Sequence, residues 1–243
     1  MHPRDFAPRP DGHVAMKVCC VASREEAELA AAQGADAIGL VGEMPSGPGQ
    51  LSEARIVDIA LHASVGVRKV LLSSLTHPRA IAEQLYRSGA DAVQLVQNIG
   101  DWNAERLRDF TRDRGIIQVV HVRNAADIAY AQRAATWWAD ALLLDSGNPD
   151  AATPELGGTG RAHDWRLSRA IVDAVPVPVF LAGGLHAGNV AAAVAAVRPY
   201  GVDLCSRIRT RGALDPAKLA AFSAALRPAG APMPSTSPRG RAN

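Results

Sequence analysis

The sequence contains few cysteines and no long hydrophobic run. Its only three cysteines are Cys19, Cys20 and Cys205, an odd set that lacks the spacing of a zinc site or a disulfide framework. We therefore predict reduced thiols and no bound metal. No apolar run approaches the roughly 20 residues that a membrane-spanning helix needs, and residues 1–11 carry charges and prolines where a signal peptide would have an apolar core. These absences predict a cytoplasmic protein that does not act at a membrane.

The chain also has little net charge. Its 26 lysines and arginines against 24 aspartates and glutamates give a formal charge of +2 at pH 7. Because this balance is close to zero and the basic residues are scattered outside the C-terminal stretch, we predict no nucleic-acid partner. Hydrophobic residues make up 48% and charged residues 21% of the chain, which is typical of a globular protein.

What the chain does contain is an alternation of short β-branched runs and amphipathic helical patterns, repeated eight times. Eight such units build either a closed barrel or a doubly wound open sheet, and the lack of a dinucleotide-binding fingerprint favours the barrel. The predicted fold class is α/β, a single (β/α)8 TIM barrel over residues 14–227 with flexible tails at 1–13 and 228–243. The predicted strands are 16–21, 36–41, 67–72, 91–96, 116–121, 139–145, 178–182 and 201–205.

Polar side chains at the ends of predicted strands are the candidates for chemistry, because barrels of this kind place their sites where strands meet the following loops. Cys19 and Cys20 end the first strand; a thiol there is either a base with a stabilised thiolate or a small buried residue. Asp145 follows an apolar strand, a costly place for a carboxylate unless it is functional or caps the next turn. His121 is a weaker candidate, since a lone histidine is more often structural.

Three neighbouring loops predict a phosphate site at the same end of the barrel. Successive glycines expose backbone N–H groups, and a nearby helix N-terminus favours binding of an anion. The residues predicted to bind phosphate follow strands six, seven and eight, and they are Gly157, Gly158, Gly160, Gly183, Gly184, Ser206 and Arg207. Residues 42–50, punctuated by glycine and proline, are predicted to form a mobile loop over the mouth and are a candidate lid.

Taken together, these motifs resemble the phosphoribosylanthranilate isomerase family of tryptophan biosynthesis over about residues 16–226. The family opens with a Lys-x-Cys-Gly strand, which corresponds here to Lys17-Val18-Cys19-Cys20. The other matching segments are Gly34 to Gly39, Leu143-Leu144-Asp145, Gly157-Gly158-Thr159-Gly160 followed by Asp164-Trp165, Ala182-Gly183-Gly184-Leu185 with Asn189-Val190, and Val202-Asp203 with Ser206.

The resemblance implies an Amadori rearrangement in which Cys19 is the general base and Asp145 the general acid. The substrate implied is a small phosphorylated sugar amine, N-(5-phosphoribosyl)anthranilate, converted to 1-(carboxyphenylamino)-1-deoxyribulose 5-phosphate. No metal or organic cofactor is implied. Main-chain amides around the predicted phosphate residues would anchor the substrate. The sequence leaves monomer and homodimer open as assembly states.

Several departures from the family pattern fall near the expected site. Cys20 stands at the family's glycine, Val96-Gln97 replaces a His-Gly, and Ser206-Arg207-Ile208-Arg209 replaces Ser-Gly-Val-Glu. Pro45 to Gln50 has no counterpart of the arginine expected to meet the anthranilate carboxylate. Two alternatives therefore stay open: a divergent paralogue acting on another phosphoribosyl amine, and a non-catalytic barrel that binds phosphosugars.

Overall fold

The structure, a computed structural model, describes residues 13–45, 47–147 and 164–227. Eight parallel strands close into a barrel in sequential order, with the first strand paired to the last. The predicted (β/α)8 fold is therefore confirmed. The barrel strands are β1 (Ala15–Val18), β2 (Ala37–Val41), β3 (Arg68–Ser73), β4 (Ala92–Leu95), β5 (Gly115–His121), β6 (Ala141–Asp145), β7 (Val179–Leu181) and β8 (Gly201–Leu204).

Eight helices surround this barrel. Each runs antiparallel to the strand before it and buries its apolar face against the sheet, as a right-handed βα crossover requires. They are α1 (Arg24–Ala32), α2 (Glu53–His62), α3 (Pro78–Ser88), α4 (Asp101–Phe110), α5 (Ala126–Trp137), α6 (Trp165–Ala174), α7 (Val190–Val197) and α8 (Pro216–Leu226). A two-stranded ribbon, β9 (Arg209–Thr210) with β10 (Ala213–Leu214), lies between β8 and α8. Within the described ranges no helix is both long and apolar enough to cross a bilayer.

Side chains on the strands alternate between the barrel interior and the helices, which gives the core two parts. On β1, Met16 and Val18 join the large apolar cluster between sheet and helices. Ala15 instead joins an inner cluster, where small alanines leave room for the Phe180 ring. This period of two sends every second residue toward the barrel axis, so Cys19 lies on the same side of β1 as Lys17.

The middle of the barrel holds a buried ion pair. Lys17 on β1 lies beside Asp203 on β8 in the strand register, and its Nζ donates to Asp203 Oδ1 at 2.7 Å. The lysine is completely buried. Burial disfavours its charge, but attraction to Asp203 and to the Cys19 thiol outweighs burial and raises the pKa of Lys17 above its ordinary value. Burial raises the pKa of Asp203, and the charge and hydrogen bond of Lys17 oppose that rise.

We expect Lys17→Met to lower the free energy of unfolding by about 3–5 kcal/mol, because it leaves Asp203 as an uncompensated buried charge. Urea denaturation measures this loss. In the double variant Lys17→Met/Asp203→Leu no buried charge remains, so its loss should be smaller than that of the single variant. Equal losses of unfolding free energy in the single and the double variant would show that the uncompensated charge of Asp203 is not the cause.

The first strand is shorter than predicted. We expected it over 16–21, but it ends at Val18 because Cys20 adopts a left-handed backbone conformation with φ of 62° that breaks the extended chain. The barrel elements run from Ala15 to Leu226, inside the predicted domain. The predicted tails lie outside the described residues, except for His13, whose Nε2 is 3.0 Å from Asp36 Oδ2.

Candidate active site

A cavity of about 500 Å³, open to solvent, occupies the C-terminal mouth of the barrel. Both predicted catalytic side chains, Cys19 and Asp145, line it. They come from β1 and β6, with β7 and β8 between them. The other walls are mainly apolar and are built by Val41, Met44, Pro48, Leu72, Val96 and Leu143. An apolar pocket with a few converging polar groups is the usual form of a small-molecule site.

Cys19 follows β1 directly, and its backbone continues the hydrogen bonding of β1 to β8. Its N–H donates to Leu204 O at 2.7 Å, which extends the pairing between β1 and β8. Its side chain is 4% exposed, so only the cavity gives access to the sulfur. Gly39 on β2 makes room for it, because a Cβ at that position would lie 2.9 Å from Cys19 Sγ. The sequence segment around Gly39 thus serves to position this thiol.

Two further thiols, Cys20 and Cys205, line the same cavity as Cys19, and Cys20 affects the ionisation of Cys19. A hydrogen bond from the Cys20 thiol, together with the positive charge of Lys17, lowers the pKa of Cys19 even though burial opposes the thiolate. Hydrogen bonds to Cys19 and Cys205 and burial raise the pKa of Cys20 well above its usual range. Of the two thiols, Cys19 therefore ionises more readily, while Cys20 keeps its proton and acts as the donor. This is the electrostatic setting that a thiol base requires.

Asp145 closes β6 and faces the same cavity. The residue is buried, at 7% exposure, and its Oδ1 accepts a hydrogen bond from the Ser146 N–H at 2.7 Å. Its backbone carbonyl accepts from Val122 N at 2.9 Å, which fixes the end of the strand. The carboxyl group is thus held in one place at the cavity wall, where it can exchange a proton with a bound ligand.

His121 lies next to Asp145 in the register of β5 and β6. Its Nε2 is 3.0 Å from Val96 O, and its buried Nδ1 has no hydrogen-bond partner among the residues that the structure describes. Burial lowers the pKa of His121, although the Val96 carbonyl and the Asp145 charge oppose that shift. The imidazole is therefore neutral at pH 7, with Nε2 donating to the carbonyl. It packs behind the cavity wall.

A second pocket of about 340 Å³ adjoins the first and shares Asp145, Asp203 and Cys205 with it. It is lined by four of the predicted phosphate residues, Gly183, Gly184, Ser206 and Arg207. Both glycines have positive φ values, 85° and 65°, and so turn the backbone sharply after β7. The Asn189 side chain holds this turn, donating to Gly184 O at 3.1 Å and accepting from His186 N at 2.8 Å.

The structure thus brings together Cys19, Asp145 and the loops after β7 and β8. Gly157, Gly158 and Gly160 lie outside the described residues, so their predicted contribution remains a prediction. The predicted loop at 42–50 contributes Met44, Gly47 and Pro48 to the cavity wall, and Cys20 Sγ lies 3.7 Å from Pro48 O.

Comparison with known proteins agrees with this geometry. A family model described as N-(5'phosphoribosyl)anthranilate (PRA) isomerase matches residues 17–225. The chain belongs to this family. It is 36% identical over 219 residues to the N-(5'-phosphoribosyl)anthranilate isomerase of Haloferax volcanii, an alignment that covers 88% of this chain and 93% of that protein.

Solved structures of PRA isomerases have the same fold. The enzyme from Thermotoga maritima matches with a TM-score of 0.72 at 28% identity, covering 88% of this chain and 98% of that one. A phosphoribosyl anthranilate isomerase in complex with reduced 1-(o-carboxyphenylamino)-1-deoxyribulose 5-phosphate matches with a TM-score of 0.71 at 25% identity and the same coverage. The chain is therefore an isomerase by family, and the predicted family resemblance is confirmed.

Cys20 stands where the family has glycine, and its left-handed backbone conformation strains the folded chain. A non-glycine residue in the left-handed region costs roughly 1–2 kcal/mol, and the family pattern has glycine there. Arg209, which stands at the family's glutamate, holds this strained turn from outside: its Nη2 donates to Cys20 O at 2.5 Å and to Cys19 O at 3.2 Å. Glu26 anchors the guanidinium at 3.1 Å. The two departures thus contact each other.

The sequence reasoning overlooked the ion pair of Lys17 with Asp203 and the thiol of Cys205, all of which adjoin Cys19. A signal for Lys17 was present, since the period of two along β1 places it on the same side as Cys19. Asp203 precedes the end of β8 by one residue, as the described strand ends at Leu204. Its proximity to Lys17 depends on the closure of the barrel, which brings the first and last strands together.

Two glycines in the 42–50 loop give a matched test of its contact with the thiols. A Cβ at Gly49 would lie 2.6 Å from Cys20 Cβ, whereas a Cβ at Gly47 would meet no atom of the described residues within 4 Å; both glycines have positive φ. Gly47→Ala should cost about 1–2 kcal/mol of unfolding free energy through backbone strain alone. Gly49→Ala should cost more, and the excess should shrink in a Cys20→Gly background. Equal losses at 47 and 49 in urea unfolding would contradict the contact.

Proposed function

We propose that this protein catalyses the Amadori rearrangement of N-(5-phosphoribosyl)anthranilate to 1-(carboxyphenylamino)-1-deoxyribulose 5-phosphate. Cys19 is the general base and Asp145 the general acid. The observation that carries the proposal is that a thiol with a lowered pKa and a buried carboxyl group line one cavity at the mouth of a PRA isomerase-family barrel. A pure binding protein needs neither group, so this pair supports catalysis over a non-catalytic barrel.

The acid step opens the ribose ring. Asp145, held at the end of β6 by Ser146 N, gives its proton to the ring oxygen, the bond between that oxygen and C1 breaks, and the substrate becomes an open-chain Schiff base. Because the carboxyl group is fixed by its backbone neighbours, it needs little reorganisation as the proton moves.

The base step follows at C2. The Cys19 thiolate removes the C2 proton, electrons move toward the imine nitrogen, and an enolamine forms that tautomerises to the C2 ketone. Lys17 and the Cys20 thiol stabilise the thiolate before the reaction. The reaction is an internal redox change of aldose to ketose type. It needs no metal or organic cofactor, because it consists of the ring opening and proton transfers.

The two pockets match the two ends of this substrate. The loops at Gly183-Gly184 and at Ser206-Arg207 would hold the phosphate, together with the glycine loop at 157–160 that the sequence predicts. The anthranilate ring would lie against the apolar wall that includes Met44, Leu72 and Val96. A phosphorylated substrate does not cross membranes, so we place the enzyme in the cytoplasm. We propose that it acts as a monomer or homodimer.

Turnover of freshly generated phosphoribosylanthranilate, followed by loss of its fluorescence, tests this function. We expect turnover by the wild-type protein and much slower turnover of phosphoribosyl amines that lack the aromatic ring, because those leave the apolar wall empty. A folded protein that converts another phosphoribosyl amine faster would reassign the substrate. A folded protein that binds phosphosugars but converts none of these amines would support the non-catalytic barrel.

The pH profile of kcat/KM reports the role of Cys20. The Cys20 thiol lowers the pKa of Cys19, and activity requires the thiolate, so activity rises with pH through that lowered pKa. Cys20→Gly removes the donor, which raises the pKa of Cys19 and moves the acidic limb of the profile to higher pH. At a pH well above the acidic limbs of both enzymes, wild type and Cys20→Gly should have similar kcat/KM values. An acidic limb that stays in place would contradict the assigned hydrogen bond.

A further inference from the structure

The active-site mouth holds a pair of thiols that the proposed mechanism does not consume. Cys20 Sγ and Cys205 Sγ lie 2.7 Å apart, on the turn after β1 and at the end of β8. Even carbon atoms, which are smaller than sulfur, rarely approach closer than about 3.5 Å without a bond. Both cysteines are free, and both line the 500 Å³ cavity.

We propose that Cys20 and Cys205 form a reversible disulfide when the protein meets a hydroperoxide-class oxidant, and that this disulfide slows the enzyme. The modification site stands on the geometry alone. Its effect on turnover rests on the proposed function of Cys19.

The backbone already holds these two sulfurs in position. The register of β1 with β8 places Val18 beside Leu204, so continuing it places Cys205 opposite Cys19 and one residue short of the position opposite Cys20, with about 4.8 Å between the strands. Disulfides join Cα atoms about 4.4–6.8 Å apart. The left-handed conformation at Cys20 turns its side chain out of the strand direction and toward Cys205. Reaching the bond length of about 2.0 Å needs a movement of less than about 1 Å.

The sulfur positions favour this pair over the other two, because Sγ of Cys205 lies 2.7 Å from Sγ of Cys20. Cys19 and Cys20 are adjacent in sequence, and a bridge between adjacent residues strains the disulfide geometry. Arg209 ties down the carbonyls of both Cys19 and Cys20, which keeps the turn as it is. Cys205 is half-buried and lines both pockets, so it is the thiol that a small oxidant meets first.

The chemistry is balanced by one peroxide per disulfide. The Cys205 sulfur attacks one peroxide oxygen, the O–O bond breaks, and a sulfenic acid and one water form. The Cys20 sulfur then attacks the sulfenic sulfur; the S–S bond forms, the S–O bond breaks, and the departing hydroxide leaves as water with the Cys20 proton. Two thiols are oxidised by two electrons, and one peroxide is reduced to two waters.

The disulfide removes the hydrogen that Cys20 donates to Cys19. The pKa of the Cys19 thiol then rises, which lowers the thiolate fraction at neutral pH. We expect kcat/KM at pH 7 to fall by roughly tenfold in the oxidised enzyme and to recover on reduction with dithiothreitol.

The test treats the full-length protein with hydrogen peroxide and compares wild type with Cys19→Ser, Cys20→Gly and Cys205→Ser. We expect oxidised wild type to lose two hydrogen atoms in intact mass, to titrate one thiol instead of three, and to recover both values with dithiothreitol. Cys19→Ser should form the same bridge, while the other two variants should form none. These readouts need no turnover, so they fail or succeed independently of the proposed function.

Three results would overturn the proposal: an oxidised wild type that keeps three thiols, a bridge that still forms in Cys20→Gly, or oxidation that only adds oxygen to Cys19. If the bridge forms but the oxidised-to-reduced activity ratio is the same in wild type and Cys205→Ser, the disulfide does not control the enzyme. A ratio near one tenth in wild type and near one in Cys205→Ser would establish both parts.

Discussion

Cys19→Ser should lower kcat/KM for phosphoribosylanthranilate by about 100- to 10,000-fold, the usual contribution of a positioned general base. The hydroxyl has nearly the size of the thiol but stays protonated at neutral pH, so it cannot take the C2 proton. Lys17 and Cys20 would then stabilise a charge that no longer forms. The loss should appear in kcat, because the wall that binds the substrate is unchanged.

Two checks separate this chemical loss from a folding defect. The urea midpoint of Cys19→Ser should stay close to that of wild type, since the substitution preserves volume in the space that Gly39 leaves open. Product-analogue affinity should stay within a few-fold. Activity within threefold of wild type would remove Cys19 from the mechanism.

Asp145→Asn should lower kcat/KM by a similar factor of about 100 to 10,000. The amide keeps the shape of the carboxyl group, and its oxygen can still accept from Ser146 N, but it cannot protonate the ring oxygen. Ring opening then becomes slow. Stopped assays on substrate and product measure this loss directly.

Asp109→Asn is the matched control for that variant, because Asp109 lies on the exposed face of α4, far from the mouth. It makes the same change of aspartate to asparagine and should leave kcat/KM within twofold of wild type. Because the acid and the base act on one substrate in linked steps, the double variant Cys19→Ser/Asp145→Asn should lose less than the product of the two single losses. A fully multiplicative loss would indicate independent roles.

The barrel itself was predictable because the period of apolar residues and the repeated βα order depend on local sequence. The strand boundaries were less so: β1 ends at Val18 because of the backbone at Cys20, and no side-chain pattern signals a left-handed turn at cysteine. Position at strand ends was enough to select Asp145 and the pair Cys19-Cys20, and the family resemblance singled out Cys19. The structure places Cys19 and Asp145 in one cavity.

The rest of the site depends on closure of the barrel. The contacts of Lys17 with Asp203 and of Cys20 with Cys205 join residues about 185 positions apart in the chain. No local pattern carries such pairs, because they arise only when β8 returns to β1. The same closure explains why Arg209, which replaces the family's glutamate, supports the turn at Cys20.

The most direct test compares the pKa of the Cys19 thiol with the pKa of the base that catalysis requires. The rate at which iodoacetamide alkylates Cys19, followed by peptide mass spectrometry as a function of pH, gives the pKa of that thiol, since only the thiolate reacts. The acidic limb of kcat/KM against pH gives the pKa of the essential base. We predict that the two values coincide below the ordinary thiol range. An acidic limb well below the pH at which Cys19 ionises would show that another group is the base.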